Sequence, residues 1–521
     1  MIPLFSISQI KSADKFAVEN YSFPSILLME NAAESIKAAI LSEFSEIDKH
    51  KKFAIICGKG NNGGDGFALA RKLAIENYFV NVLIIPKENE ISGDAKINFE
   101  ILKKISKEYG NLSLKFYKKH QDINFVKNSN FIIDAILGTG SSGELKFPIN
   151  NIVEELNKST AVKISIDTPT GLNLETASGN IIFKADLTVT LAELKTGLFY
   201  ESGKHSSGKI VKGSIGIGQN YFDKLSINEY LIEPEDALAG LPVKTGNLNK
   251  YSAGKLLAVA GSGKMPGAAI FAINSAMISG CGAGYLAFPK SVRSLVQPKM
   301  NAAIVLNYND EKKEILNSEN IDELQSKINW ADAILIGPGL GRDENTQNSV
   351  FEIIRKNPSK KFLIDADAIF SLGKGKYKKL KLNNSVLTPH HKEFADLTGV
   401  ELEELKLNLI KFGRKFVEET KSVLVLKGAP TLIFNKNGEV FINTSGNAGL
   451  AKFGSGDVLS GIAASFIAQS GNLENSAISA VYLHGLAADI ISRNESEFGI
   501  TPEKLIKQIP KTIKFLRKSF V

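Results

Sequence analysis

Gly454, Ser455, Gly456 and Asp457 stand immediately before a run in which apolar pairs recur every four positions: Val458 with Leu459, Ile462 with Ala463, Phe466 with Ile467. That spacing predicts a helix beginning at Asp457. The first N–H groups of such a helix have no partner within it, and its dipole end is positive. A glycine-rich approach therefore lets an anion come close, phosphate above all. A carboxylate at that spot can take a proton from a hydroxyl approaching the phosphate. The plainer alternative is that Asp457 only caps the helix.

A second group of chemically able residues lies near the start of the chain. The apolar run 53–57 leads into Gly58-Lys59-Gly60-Asn61-Asn62-Gly63-Gly64-Asp65-Gly66, and the apolar spacing of Phe67, Leu69, Ala70, Leu73 and Ala74 then predicts a helix ahead of another strand at 80–85. Strand, loop, helix and strand make a βαβ unit with a parallel sheet. Gly58, Gly60 and Gly63 match the dinucleotide fingerprint, but Pro86-Lys87 stands where a ribose-binding acid would be wanted, so the fingerprint alone is weak. Asn61, Asn62 and Asp65 can hold a cation or sugar hydroxyls while the backbone binds phosphate.

Later strand ends repeat the theme. Residues 131–133 precede Asp134 and the loop Gly138-Thr139-Gly140-Ser141-Ser142-Gly143-Glu144, and residues 162–166 precede Asp167-Thr168-Pro169-Thr170-Gly171. In an open α/β sheet such positions converge on one crevice. For any one of these acids alone, a loop or capping role is the competing explanation.

The bulk properties bound what these loops can serve. A chain of 521 residues, 43% hydrophobic and 23% charged, calls for more than one globular core, and two domains are expected. The formal charge of +8 comes from scattered lysines, without the basic tract and interleaved aromatics of a nucleic-acid arm. Two distant cysteines, Cys57 and Cys281, argue against a disulfide framework and for a reducing, cytoplasmic setting. Residues 1–16 lack the apolar core of a secretory signal, and the most hydrophobic window, 267–288, reads as a packed helix and strand rather than a membrane span. The rhythm of strands fades at 218–235, which places a domain boundary near Phe222.

Beyond it, strands are predicted at 255–260, 285–288, 303–306, 333–336, 362–364, 386–387 and 423–426. Polar or glycine-rich loops follow: Gly261 to Gly267, Gly337-Pro338-Gly339-Leu340-Gly341, Asp365-Ala366-Asp367, His390-His391-Lys392-Glu393 and Lys427-Gly428-Ala429-Pro430-Thr431. The first of these is not a Walker A sequence, because Met265 follows Lys264. Asp365 and Asp367 invite a metal site but equally suit a helix cap, and they are left unassigned.

The ordered set in residues 1–222 resembles the NAD(P)H-hydrate epimerase domain, a Rossmann-like three-layer α/β fold. The set in 223–521 resembles the ribokinase-like ADP-dependent NAD(P)H-hydrate dehydratase. Together they resemble the bifunctional NAD(P)H-hydrate repair family, built of two doubly wound α/β domains. The resemblance implies that Asn61, Asn62, Gly63, Gly64 and Asp65, with Gly138, Thr139, Gly140, Ser141, Ser142, Gly143 and Glu144, hold the hydrated nicotinamide nucleotide. It puts Asp167 beside the reacting ring and surrounds a potassium ion with Asn62, Asp134 and Thr170. In the second domain it implies Asp457 as catalytic base, with Ala268, Gly339, Gly341 and His390 lining the hydrate pocket. Lys427, Gly428, Ala429, Pro430 and Thr431, with Gly454, Ser455 and Gly456, would hold the nucleotide. ADP as co-substrate, Mg²⁺ on its phosphates, NADHX and NADPHX as substrates and a homo-oligomer are the further expectations.

This chain departs from the family pattern at Thr170, where serine is usual, at Ser455, where threonine is usual, and at His391-Lys392, where Pro-Gly is usual. The first two keep a hydroxyl; the third alters the turn after His390. A competing reading of the second half is a small-molecule kinase, because Gly-x-Gly-Asp at a helix start also serves hydroxyl phosphorylation. A competing reading of the first half is a binding module, against which Asp134 and Asp167 speak.

Overall fold

The computed structural model describes every residue except 45–46, 141–142, 301 and 521. The chain divides into two compact units, Pro3–Ile227 and Asn228–Val521, the latter with Met1 and Ile2.

In the first unit the strands are β1 (Lys52–Cys57), β2 (Phe79–Ile84), β3 (Leu112–Phe116), β4 (Phe131–Ala135), β5 (Val162–Ile166), β6 (Leu187–Leu191) and β7 (Lys209–Gly213). They lie in the order β3-β2-β1-β4-β5-β6-β7. Every neighbouring pair is parallel. Alternate residues of β1 face opposite layers. Ile55 and Cys57 pack with Phe67 and Ala70 of α1 (Asn61–Ile75), whereas Ala54 and Ile56 pack with Ile152, Val153 and Leu156 of α2 (Ile149–Asn157). A sheet buried on both faces in this way explains the near-continuous apolar runs of its strands. Strand order reverses between β1 and β4, and ligands of such sheets bind outside the carboxyl ends at the switch. The loops at Gly58 and after Asp134 flank that point.

The second unit carries β8 (Glu229–Leu231), β9 (Lys255–Val259), β10 (Ala283–Pro289), β11 (Ile304–Tyr308), β12 (Ala333–Ile336), β13 (Lys361–Ile364), β14 (Ser385–Leu387), β15 (Val423–Leu426), β16 (Thr431–Phe434) and β17 (Val440–Asn443). Their order is β8-β17-β16-β15-β14-β13-β12-β9-β10-β11. From β9 to β15 the neighbours run parallel. An antiparallel hairpin, β16 and β17, extends one side. Strand β8 lies in the segment where the sequence rhythm fades; at three residues, none of them fully buried, it is too short to leave a pattern.

Four helices matter for the chemistry: α3 (Pro266–Ile278), α4 (His391–Thr398), α5 (Ser455–Ser470) and α6 (Leu473–Asn494). Helix α5 buries Val458, Ile462 and Phe466 in the core of this unit. Its crossing with α3 is close enough that a Cβ on Gly461 would lie 1.9 Å from Ser275 Oγ. Glycine there lets the two backbones meet. Among the described residues no helix is long and apolar enough to cross a membrane.

Candidate active sites

In the first unit, residues of α1 and of the loops after β1, β4 and β5 line a cavity of about 720 Å³, with Asn61, Asn62, Asp65, Thr139 and Asp167 in its wall. Gly138 and Gly140 also line it, whereas Gly63, Gly64, Gly143 and Glu144 do not. Gly63 works from beneath: a Cβ on it would meet Gly58 O at 2.0 Å, so the loop can double back only as glycine. On Gly64 a Cβ would strike Met29 Sδ at 2.6 Å. Glu144 accepts a hydrogen bond from Asn180 Nδ2 at 2.6 Å. Ser141 and Ser142 lie outside the described residues.

Asp167 follows β5 with φ at +69°, a left-handed conformation rare for a side-chain-bearing residue. Its Oδ2 accepts from Thr139 N at 3.3 Å, and its Oδ1 faces Lys195 Nζ at 2.8 Å. Lys195 is 1% exposed and also donates to Thr190 Oγ1 and Leu191 O, each at 2.8 Å. Its three protons are thus spent inside the protein. Burial, with the charges of Asp167 and Asp14, holds the Asp65 carboxyl well above the usual carboxylate range. Burial and Asp167 also push Asp14, at the cavity rim, up to about 6.

Beneath this cavity Asp134 is fully buried. It accepts from Thr170 N at 2.8 Å, Thr170 Oγ1 at 2.7 Å and Ile136 N at 3.1 Å, and burial pushes its carboxyl up to about 6 against those donors. In the cavity wall, Asn62 is buried with neither amide atom hydrogen-bonded. An orphaned amide at such depth marks a place for a polar guest.

In the second unit the strand ends converge similarly. Helix α5 begins at Ser455, two residues earlier than the apolar spacing predicts, because Gly454 takes φ +89° and serves as the N-cap. Asp457 is therefore inside the first turn rather than the cap. Burial, reinforced by Asp365 and opposed by Lys427, pushes its carboxyl up to about 7. Lys427, just past β15, holds its ammonium 3.6 Å from where a Cβ on Gly456 would stand. Burial alone would lower that ammonium, but Asp365, Glu393 and Asp457 together raise it. Ser455 Oγ lies 3.3 Å from Nε2 of His484 on α6, a ring that burial keeps neutral by pushing it down to about 4. The Gly428–Thr431 segment joins β15 to β16, with Thr431 Oγ1 donating to Gly428 O at 3.2 Å.

His390 caps α4: its Nδ1 accepts from Glu393 N at 3.2 Å, and its own N–H donates to Glu393 Oε2 at 2.9 Å. This reciprocal box fixes the chain without a Pro-Gly turn. His390 also pairs in register with Lys427, whose N–H donates to Pro389 O at 2.8 Å. Ala268 opens α3 against Gly339, where an added Cβ would lie 2.9 Å from the Ala268 Cβ. Gly341 N donates to Asp367 Oδ2 at 2.8 Å, so Asp367 ties down the glycine loop.

Two family descriptions match these halves: YjeF-related protein N-terminus over residues 25–197, and NAD(P)H-hydrate dehydratase over 256–511. Across its length the chain is 31% identical to a bifunctional NAD(P)H-hydrate repair enzyme of Moorella thermoacetica, covering 99% of this chain and 97% of that one. The chain belongs to the bifunctional NAD(P)H-hydrate repair enzyme family. Another member, from Methanocaldococcus jannaschii, is 34% identical over 94% of this chain and 90% of its own. Among solved structures, a ribokinase-like superfamily protein from Enterococcus faecalis is similar at a TM-score of 0.50 and 25% identity, covering 56% of this chain and 96% of that one.

For a repair enzyme, three polar residues of these sites stand out that the sequence reading did not use. Lys195 sits in an Ala-Glu-Leu-Lys-Thr-Gly stretch without any motif, and only the fold brings it to Asp167. Asp14 belongs to a helix far ahead of the loops. Ser460 lies one turn beyond Asp457, and its hydroxyl donates to Asp365. A helical i, i+3 relation to the candidate base was the one available signal.

Proposed function

We propose that the protein repairs hydrated NAD(P)H: the first domain interconverts the R and S epimers of NADHX and NADPHX, and the second dehydrates the S form with ADP. The observation that carries this reading is the start of α5, where Asp457 stands in the first turn and Lys427 Nζ lies 3.6 Å from where a Cβ on Gly456 would stand.

The hydrate carries a hydroxyl next to its ring nitrogen, and hydroxide is a poor leaving group. In this reading the N–H groups at Gly454 to Gly456 and the Lys427 ammonium hold the terminal phosphate of ADP, while Gly428 to Thr431 hold the rest of the nucleotide. Asp457 removes the hydroxyl proton as the oxygen attacks phosphorus, and AMP departs. The ring nitrogen lone pair then expels inorganic phosphate, and loss of a proton from the neighbouring ring carbon restores the dihydropyridine. Ala268, Gly339, Gly341 and His390 shape the hydrate pocket. Among the described residues no cluster of three His, Cys, Asp or Glu side chains is placed to hold a metal ion. Mg²⁺, if bound with the nucleotide, would offset phosphate charge.

In the first domain, Asp167 is the group proposed to exchange a proton with the departing and returning hydroxyl, its place fixed by Lys195. The unpaired Asn62 amide, together with the hydrogen-bonded Asp134 and Thr170, would supply a site for a potassium ion that anchors the substrate's phosphates beside α1. Both cysteines are free and buried, in keeping with a cytoplasmic setting.

Incubation of the full chain with each purified epimer, with ADP or ATP, tests the assignment. Reduced nicotinamide nucleotide should appear from both epimers, from the R form only after conversion to S, with equimolar AMP and phosphate when ADP is supplied. Accumulation of a stable phosphorylated product without hydrate turnover would instead favour a small-molecule kinase.

A further inference from the structure

We propose that Asp365 is a positioning residue that divides the charge of Lys427 between itself and Asp457, and so sets the pH at which the dehydration base becomes active. The inference rests on Asp457 being that base.

Asp365 lies directly after β13 and is 1% exposed. Its Oδ1 accepts from Lys427 Nζ at 2.9 Å and from Thr388 Oγ1 at 2.8 Å. Its Oδ2 accepts from Ser460 Oγ at 2.5 Å. One side chain thereby ties the end of β13 to the ends of β14 and β15 and to the first turns of α5. A carboxylate offers only acceptors, and every donor around it here comes from a different element. No substrate is needed to complete the arrangement, which distinguishes Asp365 from the groups that would touch phosphate.

The consequence falls on Lys427. Its ammonium is held between Asp365 on one side and the start of α5 on the other. The charged groups acting on Asp457 are Asp365, Lys427 and Asp367, and Lys427 in turn feels Glu393. Asp365 and Asp367 disfavour ionisation of Asp457, while Lys427 favours it. Removing the Asp365 charge removes a repulsion and frees Lys427 for Asp457; both effects favour the ionised base. Removing the Thr388 hydroxyl instead leaves Lys427 as the donor to Oδ1, which draws the ammonium toward Asp365 and away from the base.

The experiment follows kcat/KM for dehydration of the S epimer against pH in the full chain, with the thermal melt of each variant as the check on folding of the second unit. Asp365→Asn is expected to move the acidic limb down by about one pH unit, roughly tenfold in proton concentration. Thr388→Val, the milder change, is expected to move it upward. Limbs that stay at the wild-type position in both variants, whatever happens to kcat, would make Asp365 a packing residue and overturn the proposal. If Asp365→Asn does not fold, the direction of the Thr388→Val limb alone decides, and a downward or absent movement overturns it. Failure of the underlying reading looks different: Asp457→Asn would then keep the wild-type dehydration rate.

Discussion

Lys195 Nζ lies 2.8 Å from Asp167 Oδ1 in a setting where the lysine is 1% and the aspartate 11% exposed. Such a pair adds little net stability when intact, because both charges have left water, but breaking it strands the remaining one. Lys195→Met should therefore cost about 3–5 kcal/mol. It should also cut epimerisation about a hundredfold or more, since the carboxylate loses the partner that fixes it against the cavity. Dehydration of the pure S epimer should survive. Melting of the variant and separate assays of each activity check this. Loss of both activities together would mean that the pair maintains more than the first site.

Asp457 offers a test in which activity and stability move oppositely. As a base it must be ionised, so dehydration should fade as the pH drops through about 7 and persist above it. Stability has the reverse sign. A carboxyl whose folded value is raised above its unfolded one contributes stability in full below the unfolded value and loses it as pH rises through the folded one. The rise from 3.8 to about 7 corresponds to at most about 4 kcal/mol at about 1.4 kcal/mol per tenfold. Asp457→Asn should thus abolish dehydration yet unfold at higher denaturant than wild type at about pH 8, with the gain shrinking toward about pH 4. Equal stability at both values would argue that the carboxyl is not held in a costly place.

How much of this was legible beforehand depends on whether a residue acts through its neighbours in sequence. The loops after β1, β4 and β5, and the lead-in to α5, announce themselves because glycine, acid and apolar run must be adjacent to make a strand end or helix start. Lys195 and Asp14 reach the first site only through the parallel stacking of β6 and the packing of a distant helix, and nothing next to them records that. Asp365 was visible as an acid at a strand end, but its role was not. Choosing between a metal ligand, a cap and a charge partner required knowing that Lys427, Thr388 and Ser460 converge on it. Helix α5 starts two residues before the position its apolar spacing predicts for a local reason: the positive φ of Gly454, which no apolar spacing encodes.

On the proposed potassium reading, the buried, unpaired amide of Asn62 is expected to make epimerisation sensitive to the cation present. With potassium replaced by lithium in the buffer, epimerisation should slow about tenfold or more, because the smaller ion holds its water too firmly to accept amide and hydroxyl oxygens in exchange. Asn62→Leu should be slow in either salt, while dehydration of the S epimer is unchanged in both. A variant that still responds to potassium would move the ion elsewhere.

Gly339 and Gly341 occupy the same loop with positive φ, +64° and +88°, but have different surroundings. An alanine methyl at 339 would lie 2.6 Å from Met265 O and 2.9 Å from Ala268 Cβ, so the loop must lift away from the start of α3. At 341 the nearest atom is Ser262 Oγ at 3.9 Å, ordinary contact. Both alanines bear left-handed strain of about 1–2 kcal/mol, and overpacking adds about 1–3 kcal/mol at 339 alone. Gly339→Ala should accordingly be the less stable protein. It should raise KM for the S epimer more than KM for ADP, because the displaced loop borders the proposed hydrate pocket and the Lys427 side is untouched. Gly341→Ala should show the smaller loss on both counts. Equal effects in the two variants would place the cost in backbone strain and remove Ala268 contact from the account of the pocket.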